Sequence, residues 1–277
     1  VSSELRELDH SDEPELRRLL ALRPIENIVV SARLDTHGFD PGKSGAQLLG
    51  FFHGDHLVSA LSVGSTLQPV NATLDALDFF ARHIEQRTCQ TILGVRGEAM
   101  GLWRRLSELS FTQWAAPRDV RHQQIVMAMT GYPLVHPDRD VQPLGTSFID
   151  SYLDASLLMY TEEVGVAPPD PQGSYRDHVA KLMMGQRAFA VMEGDQVVFK
   201  ADVVAISGSV CQISGVWLAP EYRGLGLAKP YIASVVAQCL ERVSTVSLYV
   251  NAHNTPAVGS YLGVGFVEVG EYATIMY

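Results

Sequence analysis

Gln212-Ile213-Ser214-Gly215-Val216-Trp217-Leu218-Ala219-Pro220-Glu221-Tyr222-Arg223-Gly224-Leu225-Gly226-Leu227-Ala228 is the stretch that decides the fold. An apolar run (Val216, Trp217, Leu218) stops at Pro220, a short segment carrying Arg223, Gly224 and Gly226 follows, and Tyr231 to Val243 is apolar at helical spacing. Strand, glycine loop and helix together aim backbone N–H groups at an anion, because the first N–H groups of a helix have no partner inside it. Gly224 and Gly226 lack a Cβ, so φ can turn positive and a phosphate can come close, while Arg223 supplies charge at the mouth. Two glycines alone also fit a plain helix-entry turn. The third glycine of the dinucleotide fingerprint is missing, as is its acidic residue about 20 positions on, which excludes a Rossmann dehydrogenase.

Downstream, Ser247–Val250 precedes Asn251-Ala252-His253-Asn254-Thr255-Pro256-Ala257 and then Tyr261-Leu262-Gly263-Val264-Gly265-Phe266. In this order and spacing the two segments resemble the GNAT superfamily of acyl-CoA-dependent N-acetyltransferases. Arg223, Gly226 and Ala228 match the family's pyrophosphate loop, and Asn254, Ala257, Tyr261, Gly265 and Phe266 match its closing segment. The resemblance implies a cradle for acetyl-CoA or CoA as cosubstrate at Arg223, Gly224, Leu225, Gly226, Leu227 and Ala228. It implies pantetheine contacts along Val216, Trp217 and Leu218 and at Asn254, and Tyr261 as the general acid that protonates the leaving thiolate. N-capping is the alternative for Asn254, and core packing the alternative for Tyr261. Relatives often carry a glutamate on the strand before the loop; here that neighbourhood reads Val210-Cys211-Gln212-Ile213-Ser214, and Gln212 cannot act as a base. Proton loss to water, or Asp202 or His253 acting at a distance, takes its place.

The surrounding chain divides at Tyr132–Asp138, which is polar and carries Pro133 and Pro137. Residues 135–277 give a strand at Val141–Leu144, a helix at Ser147–Val164 and a break at Pro168–Pro171. A helix at Tyr175–Met184 follows, then strands at Ala188–Met192 and Val197–Ile206 around Glu193-Gly194-Asp195. Phe148, Tyr152, Ala155, Leu158 and Met159 are expected on one face of the first helix. The family resemblance turns these two helices to the acceptor, which makes Tyr152, Met159, Tyr160 and Tyr175 candidate substrate contacts, with core packing as the competing role. Phe266–Met276 is expected as a closing hairpin strand.

Residues 1–134 repeat the order hairpin, helix, strand, helix, strand. Leu5–Leu8 reads as a strand, Ser11-Asp12-Glu13-Pro14 as a helix start, and Ile28–Leu34 as helix or strand. Ala46–Phe52 and Leu57–Val63 flank a Gly54-Asp55 turn. Leu74–Ile84 is a helix with Leu74, Leu77, Phe80 and Ile84 inward; Thr91–Val95, Ala99–Leu109 and Val120–Met129 complete the set. No glycine loop stands before the 74–84 helix, where Ser65 to Ala72 has neither glycine nor arginine. Gly42-Lys43-Ser44 is no phosphate loop, since His37 occupies the position of the required first glycine, and Gly38–Gly45 reads as a surface loop. His53 and His56 flank a turn with no third ligand in view, so no metal is expected. The chain as a whole resembles tandem acetyltransferases, a layout seen in mycothiol synthase, with a degenerate GNAT-like domain at 1–134 of the kind found before such domains in actinobacterial proteins. The fold expected is α/β with an α+β mixed central sheet flanked by helices, twice over.

Bulk properties agree. At 277 residues, 47% hydrophobic and 19% charged, the chain is globular. A net charge of −10 argues against a nucleic-acid partner and suits a cationic amine, whether a small molecule or a protein. Cys89, Cys211 and Cys239 show no metal or disulfide spacing, as in a reduced compartment. No stretch reaches the ~18 apolar residues of a membrane span, and Glu4, Arg6 and Glu7 do not suit a secretory leader, so a cytoplasmic location is expected. The alternative to an enzyme is a CoA-binding sensor or scaffold that does not turn over.

Overall fold

The computed structural model describes residues 2–277, which form two compact units. The first takes the chain up to Met127 together with Tyr249–His253 and Glu268–Tyr277; the second takes Ala128–Leu248 and Asn254–Val267. The units therefore do not follow a single cut in the sequence, because Tyr249–His253 and most of the last strand belong to the first.

In the first unit, β1 (Ser3–Glu7), α1 (Glu13–Ala21), α2 (Ile28–His37) and the one-turn α3 (Pro41–Ser44) lead into the hairpin β2 (Ala46–His53) and β3 (His56–Gly64). Then come β4 (Thr66–Val70), α4 (Leu74–His83), β5 (Thr91–Val95), α5 (Arg96–Leu109), α6 (Phe111–Trp114) and β6 (Asp119–Met129). Strand β2 shows why helices cover both faces. Successive side chains point to opposite sides of a sheet, and both alternations are apolar. Leu49 and Phe51 pack with Leu77, Phe80 and Leu102 of α4 and α5. Leu48 and Phe52 pack with Leu16 and Leu34 of α1 and α2.

Several sequence expectations change. Ile28–His37 resolves as a helix, and Gly38–Gly45 contains the turn α3, where Asp40 accepts from the Gly42 N–H. Ser65–Ala72 is not simply a connection. Thr66–Val70 is a strand, antiparallel to β3 and parallel to β5, with Pro69 opposite Leu61. Leu74 is 71% exposed, and Ala76, Leu77, Phe80 and Ala81 form the inner face of α4.

The second unit holds β7 (Gln142–Pro143), α7 (Ile149–Val164), α8 (Ser174–Met184), β8 (Ala188–Glu193) and β9 (Gln196–Ser207). It continues with β10 (Val210–Leu218), α9 (Ala228–Leu240), β11 (Thr245–Asn251) and α10 (Thr255–Val264). Its strands run in the order β11-β10-β9-β8-β7; β10 is parallel to β11, and the others are antiparallel. Only two residues of the expected 141–144 strand are extended. Phe148 and Leu158 point to solvent, while Tyr152, Leu153, Ala155 and Ser156 face inward from α7. On β9, Phe199 packs against Tyr231 of α9 with ring centroids 5.2 Å apart. Its neighbours Lys200 and Ala201 alternate across the strand, so Lys200 faces the other side, toward α7.

The final strand, β12 (Val267–Met276), corrects the expected closing hairpin. It pairs antiparallel with β5 of the first unit, from Tyr272↔Val95 to Met276↔Thr91. Thr274 Oγ1 donates to Gln124 Oε1 at 2.5 Å, and the Tyr272 hydroxyl donates to the Glu26 carbonyl at 2.6 Å. The two units repeat one pattern, with β4-α4-β5-α5 matching β10-α9-β11-α10.

Candidate active site

Three local features of the second unit converge on the β10–α9 connection. The first is a splay. β10 pairs with β11 only at Val210–Gln212 with Thr245–Ser247, and the ladder ends there. The second is a bulge. Ser214 pairs with Asp202 and Trp217 with Lys200, so Gly215 and Val216 stand opposite the single residue Ala201. Gly215 has φ +58°, and an added Cβ would come within 2.6 Å of Asp202 Oδ2 and 3.0 Å of Lys200 Nζ. Only glycine fits both the angle and the space.

The third feature is the loop. Gly224 and Gly226 have φ of +77° and +80°, which L side chains rarely adopt. Arg223, Gly224, Leu225 and Gly226 are solvent-exposed. Among the described residues, the N–H groups of Gly224, Leu225, Gly226, Leu227 and Ala228 make no hydrogen bond to a protein acceptor. Leu227 provides no side-chain cap to α9, and the first turn holds no acidic residue. A 13-residue helix thus presents an uncapped, positively polarised end beside a glycine turn.

The equivalent place in the first unit is closed. There Thr73 caps α4 through Ala76 N–H, the Ala72 N–H donates to Glu98, the Thr73 N–H donates to Ser59, and Asp75 sits in the first turn. An anion would find those amides spent and a carboxylate beside them.

Arg223 is held in place: its Nε donates to the Leu218 carbonyl at 2.8 Å and Nη2 to Glu162 Oε2 at 2.7 Å. Glu162 also accepts from the Trp217 indole at 3.4 Å. Trp217 is buried, whereas Val216 and Leu218 are half-buried. Asn254 Oδ1 accepts from the Ala257 N–H at 3.3 Å, so it caps α10.

Tyr261 is buried on α10, edge-on to Phe266 at 5.8 Å. Burial pushes its phenol well up from the ordinary value, and the negative charge of Glu163 adds to the effect. The phenol therefore holds its proton throughout the neutral range, as a proton donor must.

The four tyrosine and methionine candidates separate. Tyr152 is fully buried and donates to Asp202 Oδ1 at 2.6 Å, which places it in the interior, not at a surface. Met159 is half-buried, its sulfur 3.8 Å from Lys200 Nζ. Tyr160 and Tyr175 are half-buried and meet edge-on at 5.8 Å, and the Tyr175 hydroxyl donates to the Ser156 carbonyl. Burial also raises the Tyr175 phenol.

Gln212, where an acid was expected, is buried; of the candidate bases, both oxygens of Asp202 already accept, one from Tyr152 and one from Lys200. His253 belongs to the first unit and is exposed. The sequence reading missed Lys200, Glu162 and Glu163. The signal for Lys200 was present: a lysine and an aspartate two apart inside Val197-Val198-Phe199-Lys200-Ala201-Asp202-Val203 share one face of a strand that is apolar on both sides. Among the described residues, no group of three or more His, Cys, Asp or Glu could hold a metal ion.

Comparison with known proteins agrees with this geometry. The acetyltransferase (GNAT) family model matches residues 161–266, and a model described as a domain of unknown function, DUF4081, matches residues 46–152. No curated protein matches the chain in sequence. Three solved structures are similar over nearly the whole length. A GCN5-related N-acetyltransferase from Sphaerobacter thermophilus has a TM-score of 0.62 at 15% identity, covering 98% of this chain and 94% of that one. A GNAT-family acetyltransferase from Colwellia psychrerythraea has 0.59 at 13%, covering 99% of both. A tandem GNAT protein from the clavulanic acid biosynthesis pathway has 0.55 at 14%, covering 99% and 98%. At such identities the likeness speaks for the fold. Residues 161–266 are thus a domain of the acetyltransferase (GNAT) family, in a chain that follows the tandem GNAT fold along its length.

Proposed function

We propose that the protein transfers an acetyl group from acetyl-CoA to a primary amine of a small molecule or a protein, and that residues 135–277 carry the reaction. The observation behind this reading is the splayed strand β10 running into an exposed glycine turn and an uncapped helix. Bound acetyl-CoA supplies the activated acyl group as a thioester. The amides from Gly224 to Ala228 hold its pyrophosphate, with Arg223 beside them. Backbone groups of Val216 and Leu218 align the pantetheine arm and polarise the thioester carbonyl, a donor that needs no reorganisation. Tyr261, kept protonated by burial, gives its proton to the departing sulfur.

The acceptor comes from the side of α7 and α8. Tyr160 and Tyr175, with Met159, offer a half-buried surface, and the negative charge of Glu163, which acts on both Tyr175 and Tyr261, suits a cationic amine. Residues 1–134 act as a degenerate partner with no cradle of their own. No helix among the described residues is long and apolar enough to cross a membrane.

Release of CoA thiol from acetyl-CoA with a panel of amines tests the proposal. Turnover that Tyr261→Phe lowers about a hundredfold supports it. Two observations favour the second reading, a CoA-binding sensor: Gln212 stands where an acid is often found, and both oxygens of Asp202 are already engaged. Tight binding of CoA with no turnover on any amine would establish the sensor instead.

A further inference from the structure

Lys200 is fully buried in β9, yet each of its three ammonium protons has an acceptor. Nζ lies 2.6 Å from Asp202 Oδ2, 3.1 Å from the Gly215 carbonyl oxygen and 3.8 Å from Met159 Sδ. Tyr152, whose ring centroid is 5.1 Å from Nζ, locks the other oxygen of Asp202. A buried ion pair contributes little net stability, because desolvation offsets the attraction. Its geometry suggests another task. The carbonyl it grips belongs to the bulge, and Gly215 and Val216 have no partner in the register with β9.

A peptide group is planar and, here as throughout the described residues, trans. The Gly215 C=O and the Val216 N–H therefore point in opposite directions in one rigid plane. Whatever fixes the carbonyl also fixes the N–H. We infer that Lys200, Asp202 and Tyr152 are positioning residues: by clamping the Gly215 carbonyl they aim the Val216 N–H away from the ion pair, as the donor that polarises the thioester carbonyl. The inference rests on the acetyltransferase reading above for its catalytic consequence, and on the clamp geometry alone for its structural one.

Two double variants test it without leaving a buried charge unpaired. Lys200→Met with Asp202→Asn removes the donor to Gly215. Lys200→Gln with Asp202→Asn restores a neutral donor. Both are measured as the full chain for melting temperature, CoA affinity, and kcat and KM for an amine substrate. In parallel, the Val216 amide resonance is followed in 15N-valine-labelled protein without ligand.

The Met variant is expected to melt with the Gln variant and to bind CoA as the wild type does. It is expected to lose about ten- to a hundredfold in kcat with little change in KM, as befits a misaimed donor. Its Val216 resonance shifts, and the Gln variant recovers most of both signals. A kcat loss below about tenfold, a Gln variant no better than the Met variant, or an unmoved Val216 resonance overturns the inference. If the wild type turns over no amine at all, the acetyltransferase reading fails, while the Val216 resonance still decides whether the clamp exists.

Discussion

Arg223 of the glycine loop donates to Glu162 of α7 at 2.7 Å, so the arginine of the proposed pyrophosphate loop already has a counter-ion. Both side chains are nearly half exposed, which limits the pair to at most about 1 kcal/mol. The Arg223 Nε stays anchored on the Leu218 carbonyl without it. Glu162→Gln is therefore expected to tighten CoA binding about two- to fivefold at low salt, by removing a carboxylate that competes with phosphate. The gain should shrink as salt rises. Calorimetric titration at low and high salt checks this, and Arg223→Ala should weaken binding in the same assay.

Tyr261→Phe keeps the ring against Phe266 and removes the proton. The expected loss in kcat is about a hundredfold, with CoA affinity unchanged. Because burial raises the phenol above its ordinary value of 10.0, the wild-type rate should show no descending limb from this group below about pH 10. A limb near neutral pH that disappears in Tyr261→Phe would contradict the assignment.

Asp12 gives a stability prediction with a sign. Arg6 bonds both of its oxygens at 2.7 Å and holds its carboxyl below the usual carboxylate range, with burial opposing. Asp12 also completes the capping box with Asp9. A depressed folded value means that this stabilisation is present above the unfolded value near 3.9 and is lost as pH falls through the folded one. Asp12→Asn should cost about 1–2 kcal/mol at neutral pH. Melting curves of variant and wild type should converge as the pH is lowered past that window.

A fragment of residues 135–277 retains β12 but not β5, the strand that pairs with it. Unpaired strand edges template aggregation. The fragment is expected to be poorly soluble, where the full chain is not, as sedimentation will show.

Local chemistry made much of this fold legible. Gly54-Asp55 and Gly194-Asp195 each sit at the turn between two apolar runs, and the hairpins β2–β3 and β8–β9 form there. β4 was hidden because Pro69 argues against a strand, whereas its neighbours on both sides supply the pairing. The partner of β12 could not be read at all: Met276 pairs with Thr91, about two-thirds of the chain away, and strand pairing at such range leaves no local signature. Leu74, Phe148 and Leu158 looked like core by spacing and are exposed, since apolar periodicity gives a face but not its edges. At the site, Gly224 and Gly226 were legible because positive φ demands glycine. The grip of Lys200 on Gly215 was not, because it depends on where a bulge brings one carbonyl.

The most direct test of the account is calorimetric titration of CoA into the full chain and into Gly226→Val. Valine is strained at a φ of +80° and would re-aim the loop amides, although its Cβ meets no neighbour within 4 Å. The account predicts one site per chain, with affinity sharply reduced in a variant that still melts cooperatively. Two sites per chain, no binding, or an unchanged affinity in Gly226→Val would contradict it.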